Sequence, residues 1–216
     1  MKNCLKINRL DIKIIIITII SVACLGCKNH EPKIDYTLPS NEDINQIIET
    51  VILNDSLAVT KKDSSKLSVP IATDLTQLKI FIPQKSKNDI PPPPPARNVI
   101  SIEKLLNSEL VENREFIKND SIYFHFQNRN LKNFVIDSKV SNKLIVTTFQ
   151  EQNLKKHSNK LARFYYLTIP VFSADNKRAY IEVTKICNRC GSAYFAILKK
   201  DKGEWKIIKE REIWTN

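Results

Sequence analysis

The residues best suited to chemistry in this chain of 216 are Cys187 and Cys190, with two residues between them and Gly191 directly after. Three chemistries suit the spacing. A structural disulfide would pin a tight turn between two strands, and closing so short a loop contributes about 2 kcal/mol. A thiol–disulfide exchange pair needs a helix N-terminus or a comparable positive environment to stabilise its thiolate. The residues that follow, Ser192 to Leu198, read as a strand instead. Half of a closed tetrahedral zinc site needs further ligands, and His30, His125 and His157 do not come in a paired spacing. The disulfide is the preferred reading, and no metal is expected.

The remaining candidates are weaker. Most carboxylates of the C-terminal half (Glu109, Glu112, Glu115, Asp120, Asp137, Glu151, Asp175) fall in expected helices or turns, where solvated charge is the default. Glu182 alone sits mid-strand among apolar residues, and the expectation there is the solvent face. His125 stands between Phe124 and Phe126, pointing opposite to them in a strand reading. No serine has a nucleophile's surroundings. The only glycines are Gly26, Gly191 and Gly203. Phosphate loops and dinucleotide fingerprints need clustered glycines, because only glycine lets the backbone approach a phosphate closely. These gaps lead to an expectation of no catalytic residues, no cofactor and a non-enzymatic role.

The net charge of +11 is unevenly spread. Residues 1–26 carry +3 and residues 27–99 balance, while residues 100–216 hold 21 basic against 13 acidic side chains. Tyr165, Tyr166, Trp205 and Trp214 among these cations invite base stacking. The N-terminus argues against nucleic acid. A basic stretch, Met1 to Lys13, precedes a 13-residue apolar run, Ile14 to Gly26. A membrane span needs about 20 residues, whereas the apolar core of a signal peptide needs about 7–15. Residues 1–26 therefore read as a signal for export, and an anionic lipid or glycan is a better partner than a nucleic acid.

Gly26 directly before Cys27 resembles the lipobox of bacterial lipoprotein signal peptides, in which a small residue precedes an invariant cysteine. The position three residues before that cysteine is usually Leu, and here it is Cys24. Cys24, preceded by Ser21-Val22-Ala23, is a second acceptor candidate. Cys27 is preferred, because the apolar run ends there and polar Lys28-Asn29-His30 follows. The resemblance implies cleavage before Cys27, a diacylglyceryl group on its thiol and acylation of the new amine. Two or three chains hold a protein durably on a membrane.

The elements that must position these groups follow from periodicity. Residues 27–40 read as a lipid-anchored tether. Ile44, Ile47, Ile48, Val51 and Ile52 fall on one face of a helix from Asn41 to Asp55, with Ser40 as N-cap and Asp43 completing a capping-box variant. Leu78 to Ile82 is a strand candidate, so 41–90 forms a small lobe or packs on the main domain. Pro91 to Pro95 must be polyproline II, about 15 Å long, which makes 91–98 a spacer.

Residues 99–216 read as the C-terminal α+β domain. Ile102 to Leu106, Glu109 to Lys118 and Glu151 to Leu161 look helical. Asp120 to Phe126, Leu144 to Thr148, Phe164 to Phe172, Ala179 to Ile186, Ala193 to Lys199 and Trp205 to Lys209 look like strands. Lys200-Asp-Lys-Gly203 joins the last two as a hairpin turn. The sum is an antiparallel meander packed by N-terminal helices.

Ile169-Pro-Val-Phe-Ser, the Cys187-x-x-Cys190-Gly191 turn, the closing Gly203-x-Trp205-Lys206 hairpin and Trp214 together resemble uncharacterised bacterial lipoprotein families. The likeness covers roughly residues 160–216 and implies no assigned activity. The expectation is a lipid-anchored envelope protein, on the outer membrane facing the periplasm, acting as a binding or structural module. Its partners would be the membrane and an envelope protein or anionic polymer. The alternatives are an immunity or inhibitor-type lipoprotein and a thiol–disulfide redox protein using Cys187 and Cys190.

Overall fold

A computed structural model describes residues 36–54, 69–83, 97–106, 116–157, 163–187 and 190–215. The signal, Cys27 and the five prolines lie outside the described residues. The first element is α1 (Asn41–Asn54), whose five periodic residues Ile44, Ile47, Ile48, Val51 and Ile52 are all buried. Its start is capped as the sequence predicts, with the Asp43 backbone N–H donating to Ser40 Oγ at 3.0 Å. The reciprocal half goes to the Ser40 hydroxyl, which donates to Asp43 Oδ2 at 3.0 Å.

The scaffold is one mostly antiparallel sheet with helices around it. In chain order come β1 (Ile71–Ala72), β2 (Asp74–Leu75), β3 (Lys79–Phe81), β4 (Val99–Ser101), α2 (Ile102–Leu106) and α3 (Asp120–Asn130). Then follow β5 (Phe134–Val135), α4 (Ser138–Ser141), β6 (Val146–Thr147), α5 (Phe149–His157), β7 (Phe164–Leu167) and β8 (Val171–Phe172). The closing meander is β9 (Arg178–Ile186), β10 (Gly191–Asp201) and β11 (Glu204–Thr215). The seven-stranded sheet runs β11-β10-β9-β7-β1-β6, and β8 pairs with β9. Only β1 pairs in parallel within it, to β6 and β7. Two small ladders, β2 with β5 and β3 with β4, stand beside it. Residues 36–216 form one unit, with α1 and β1 to β3 in the same body as the meander.

Both faces of the sheet are covered. On the first face, Ala179, Ile181 and Val183 of β9 and Ala196 and Leu198 of β10 pack with the α1 isoleucines and Trp205. On the second, Tyr180, Phe195 and Ile197 pack with Leu105, Phe116 and Phe124. Strand residues of both parities are therefore buried, which is why Glu182, expected on the solvent face, is only 7% exposed.

The strand expected at Asp120 to Phe126 is a helix, α3. Its buried residues are Asp120, Tyr123, Phe124 and Gln127, the steps of a helical face. Two of them are polar, so the apolar count along the sequence favours alternation. Hydrogen bonds compensate their burial. Asp120 accepts from the Ile117 and Ala174 N–H groups, each at 2.8 Å. Gln127 donates to Pro170 O at 2.6 Å and accepts from the Phe172 N–H at 3.0 Å. Of the expected helix from Glu109 to Lys118, residues 109–115 lie outside the described residues and 116–118 are not helical. The single strand expected from Phe164 to Phe172 is two, β7 and β8, divided at Thr168–Pro170.

Asp43 ties the first element to the last. Its Oδ1 accepts from Lys200 Nζ at 2.5 Å and from Trp205 Nε1 at 2.9 Å. Burial alone would raise this carboxyl, but the hydrogen bonds from Lys200, Trp205 and Ser40, with the Lys200 charge, hold its pKa below the usual value. A depressed carboxylate stabilises the fold above its unfolded pKa of about 3.9, and that stabilisation is lost as pH falls through the lower folded value. Asp43→Ala is expected to lower stability at pH 7 by about 2 kcal/mol. Urea unfolding should show the gap to wild type narrowing as pH falls below the ordinary carboxylate range. A gap unchanged with pH would mean that the charge is not what stabilises.

Candidate functional site

The meander carries three features of chemical interest. The first is the turn between β9 and β10. Cys187 and Cys190 lie at disulfide-bonding distance, with Cα atoms 5.1 Å apart. The Cys187 N–H donates to Cys190 O at 3.0 Å. Strands β9 and β10 flank the turn, and among the described residues no helix starts beside the two cysteines in the chain. Gly191, expected in the turn, is instead the first residue of β10. A Cβ there would lie 3.0 Å from the Trp214 ring and 3.2 Å from Lys185 O. The glycine is needed for close approach of the indole, over whose ring Arg97 also lies, 5.2 Å from the centroid.

The second feature is Glu182 with Tyr180. They stand two apart on β9 and so share the second face. The Tyr180 hydroxyl donates to Glu182 Oε1 at 2.9 Å, and Tyr180 stacks on Phe195 with ring centroids 5.3 Å apart. The Glu182 backbone N–H donates to Thr168 Oγ1 at 2.9 Å. Burial pushes the Glu182 carboxyl up to about 7, against the smaller opposing effects of the Tyr180 hydrogen bond and the Lys104 charge. Burial also pushes the Tyr180 hydroxyl up, and the neighbouring carboxylate adds to this. The pair can hold or release a proton near neutrality. Tyr180 packs in the second-face core with Val171, Phe195 and Ile197. His125 lies on α3, a separate element, with its Nε2 buried and without a hydrogen-bond partner among the described residues.

The third feature escapes sequence reading. The register sets Arg178 directly opposite Lys199, and Lys199 directly opposite Lys206. Three cations thus form a row across β9, β10 and β11 on the second face. Further along β11, Lys209 lies opposite Ile197 and Arg211 opposite Phe195, both second-face residues. Like charges directly opposite each other destabilise a sheet. Arg178 reaches Asp175 at 3.8 Å and Lys206 reaches Asp201 at 3.6 Å, both partly exposed contacts of small worth.

Among the described residues no cluster of three or more His, Cys, Asp or Glu is placed to hold a metal. No described helix is long and apolar enough to cross a membrane.

The buried acid makes a pH prediction. Its folded pKa lies above the ordinary carboxylate value, so the folded state binds a proton that the unfolded chain has released. Stability is therefore greatest below about pH 4.5 and falls as pH rises to about 7, by roughly 3 kcal/mol. Glu182→Gln should flatten that slope and leave the variant more stable than wild type at pH 8. Urea midpoints at pH 5 and pH 8 read this directly; parallel pH profiles would contradict it. Replacing Cys187 and Cys190 together by serine should cost about 2 kcal/mol. Thiol titration of the native protein should find neither sulfur reactive.

No family model, curated protein or solved structure matches the chain.

Proposed function

We propose that this is an exported, lipid-anchored protein whose domain serves as a non-enzymatic binding or structural module in the cell envelope. The single observation that carries the reading is the N-terminal pattern: a basic stretch, a 13-residue apolar run and Gly26 before Cys27. The paired Cys187 and Cys190 support it, since disulfides persist in oxidising compartments and are rare in the cytosol. In this reading the acyl chains on Cys27 hold the protein at the membrane, with the outer membrane's periplasmic face as its site. Residues 28–35 give the domain reach from that surface. Tyr36 already packs on Tyr123 and Phe126. The proline run lies in the chain between the paired strands β3 and β4, so it is a connection within the body and not a spacer from the membrane. A structural disulfide fits the turn better than a redox pair, because the strands on either side supply no helix dipole to stabilise a thiolate. The closed packing around Tyr180 and Glu182 favours binding at the surface over catalysis within.

Cys27→Ser is the test. Wild type should fractionate with membranes and carry an acyl mass on the peptide beginning at Cys27. The variant should accumulate as uncut precursor or be released. Continued acylation of the variant would move the anchor to Cys24, and an unlipidated wild type would end the reading.

A further inference from the structure

The cation row on β9 to β11 sets like charges side by side across three strands. Arg178, Lys199 and Lys206 stand side by side where the sheet would be steadier with mixed charge. Lys199 is exposed and has no carboxylate partner among the described residues. Lys209 and Arg211 extend the row along the edge strand. Ile208 and Ile213, each 43% exposed, stand on the same strand at its two register shifts, Ile208 between Lys206 and Lys209 and Ile213 two residues beyond Arg211. The array lies at the β11 edge of the sheet, with its cations spread over three strands and exposed isoleucines on the edge strand.

We propose that this face docks on the phosphate headgroups of an anionic lipid bilayer. The partner follows from the chemistry. Cations spread over three strands match a plane of phosphates, and isoleucines beside them fit the boundary between headgroups and acyl chains. The proposal rests on the anchoring reading for proximity: a tethered domain meets the bilayer at high effective concentration, so contacts too weak for a free protein suffice. The acyl anchor then fixes where the protein is, and the cation row fixes how the domain lies.

The test uses the full chain purified from membranes and reconstituted in vesicles of phosphatidylcholine alone or with phosphatidylglycerol. Amine acylation of each lysine is read by mass spectrometry. On anionic vesicles, Lys199, Lys206 and Lys209 should be protected, and 1 M salt, where the Debye length is about 3 Å, should remove the protection. Lys132 and Lys139, near the elements packed on the first face, should label equally on both vesicles. Lys199→Gln with Lys206→Gln should lower the docked-to-undocked ratio roughly 30-fold, with the circular dichroism spectrum unchanged. Lys132→Gln with Lys139→Gln, equal in net charge, should leave it unaltered. Equal labelling of the row on neutral and anionic vesicles would overturn the proposal. So would release of the row from anionic vesicles by soluble polygalacturonate, which would assign it to an acidic glycan. The acyl mass on Cys27, read in the same spectra, keeps the two readings apart. An acylated Cys27 with an unprotected row removes only the docking, and a protected row with unmodified Cys27 removes only the anchor.

Discussion

One carboxylate joins the beginning of the domain to its end. Asp43 closes the first turn of α1 through Ser40 and at the same time accepts from Lys200 and Trp205 on the final hairpin. The covering of the first face depends on that junction. It seats the α1 isoleucines over β9 and β10, and it fixes the Trp205 indole, which meets Phe172 edge-on at 5.5 Å. A helix of 14 residues is marginal by itself in water. Its place in the domain comes from the apolar face it buries and from this capped, ion-paired start.

The second constraint is that the sheet is buried on both sides. Sequence reading handles a strand with one wet face well, because alternation then sorts its residues. In β9 the alternation is real, but both sets are inside, and the polar set is the informative one. Tyr180 and Glu182 occupy the second face as a hydrogen-bonded pair, which satisfies the hydroxyl and leaves the carboxyl easily neutralised. The same limit explains α3, where Asp120 and Gln127 are core residues that no hydropathy pattern marks as such. By contrast α1 and the final hairpin were legible. Their signals are local: five isoleucine and valine positions at helical steps, and a turn in which Lys202 and Gly203 both take positive φ, at 50° and 90°. The short strands β1, β2, β4 and β5 had no such signal, since two or three residues carry no measurable period.

The candidate site divides the same way. The cysteine pair and its turn could be read from spacing alone. The cation row could not be seen as a row, since Arg178, Lys199 and Lys206 are far apart in the chain. Yet both turns that create it are visible. The Lys202–Gly203 turn sets Lys199 against Lys206, and the Cys187–Cys190 turn sets Arg178 against Lys199. What sequence reading lacked was confidence that both registers run unbroken to those positions. β11 does slip twice against β10, between Ala193 and Tyr194 and between Ile197 and Leu198, but both slips fall beyond the row as counted from the hairpin.

Strand β11 is also the open edge of the sheet. Its charges are sorted by side: Glu210 and Glu212 face with Ala196 and Tyr194, while Lys209 and Arg211 face with Ile197 and Phe195. Two copies meeting edge to edge in antiparallel fashion are related by a two-fold axis through the sheet, which matches residues of the same side. Any such register that overlaps the charged stretch brings acid against acid and base against base. The outer side of the strand, long and without a partner strand among the described residues, is thus poorly suited to grow a fibre.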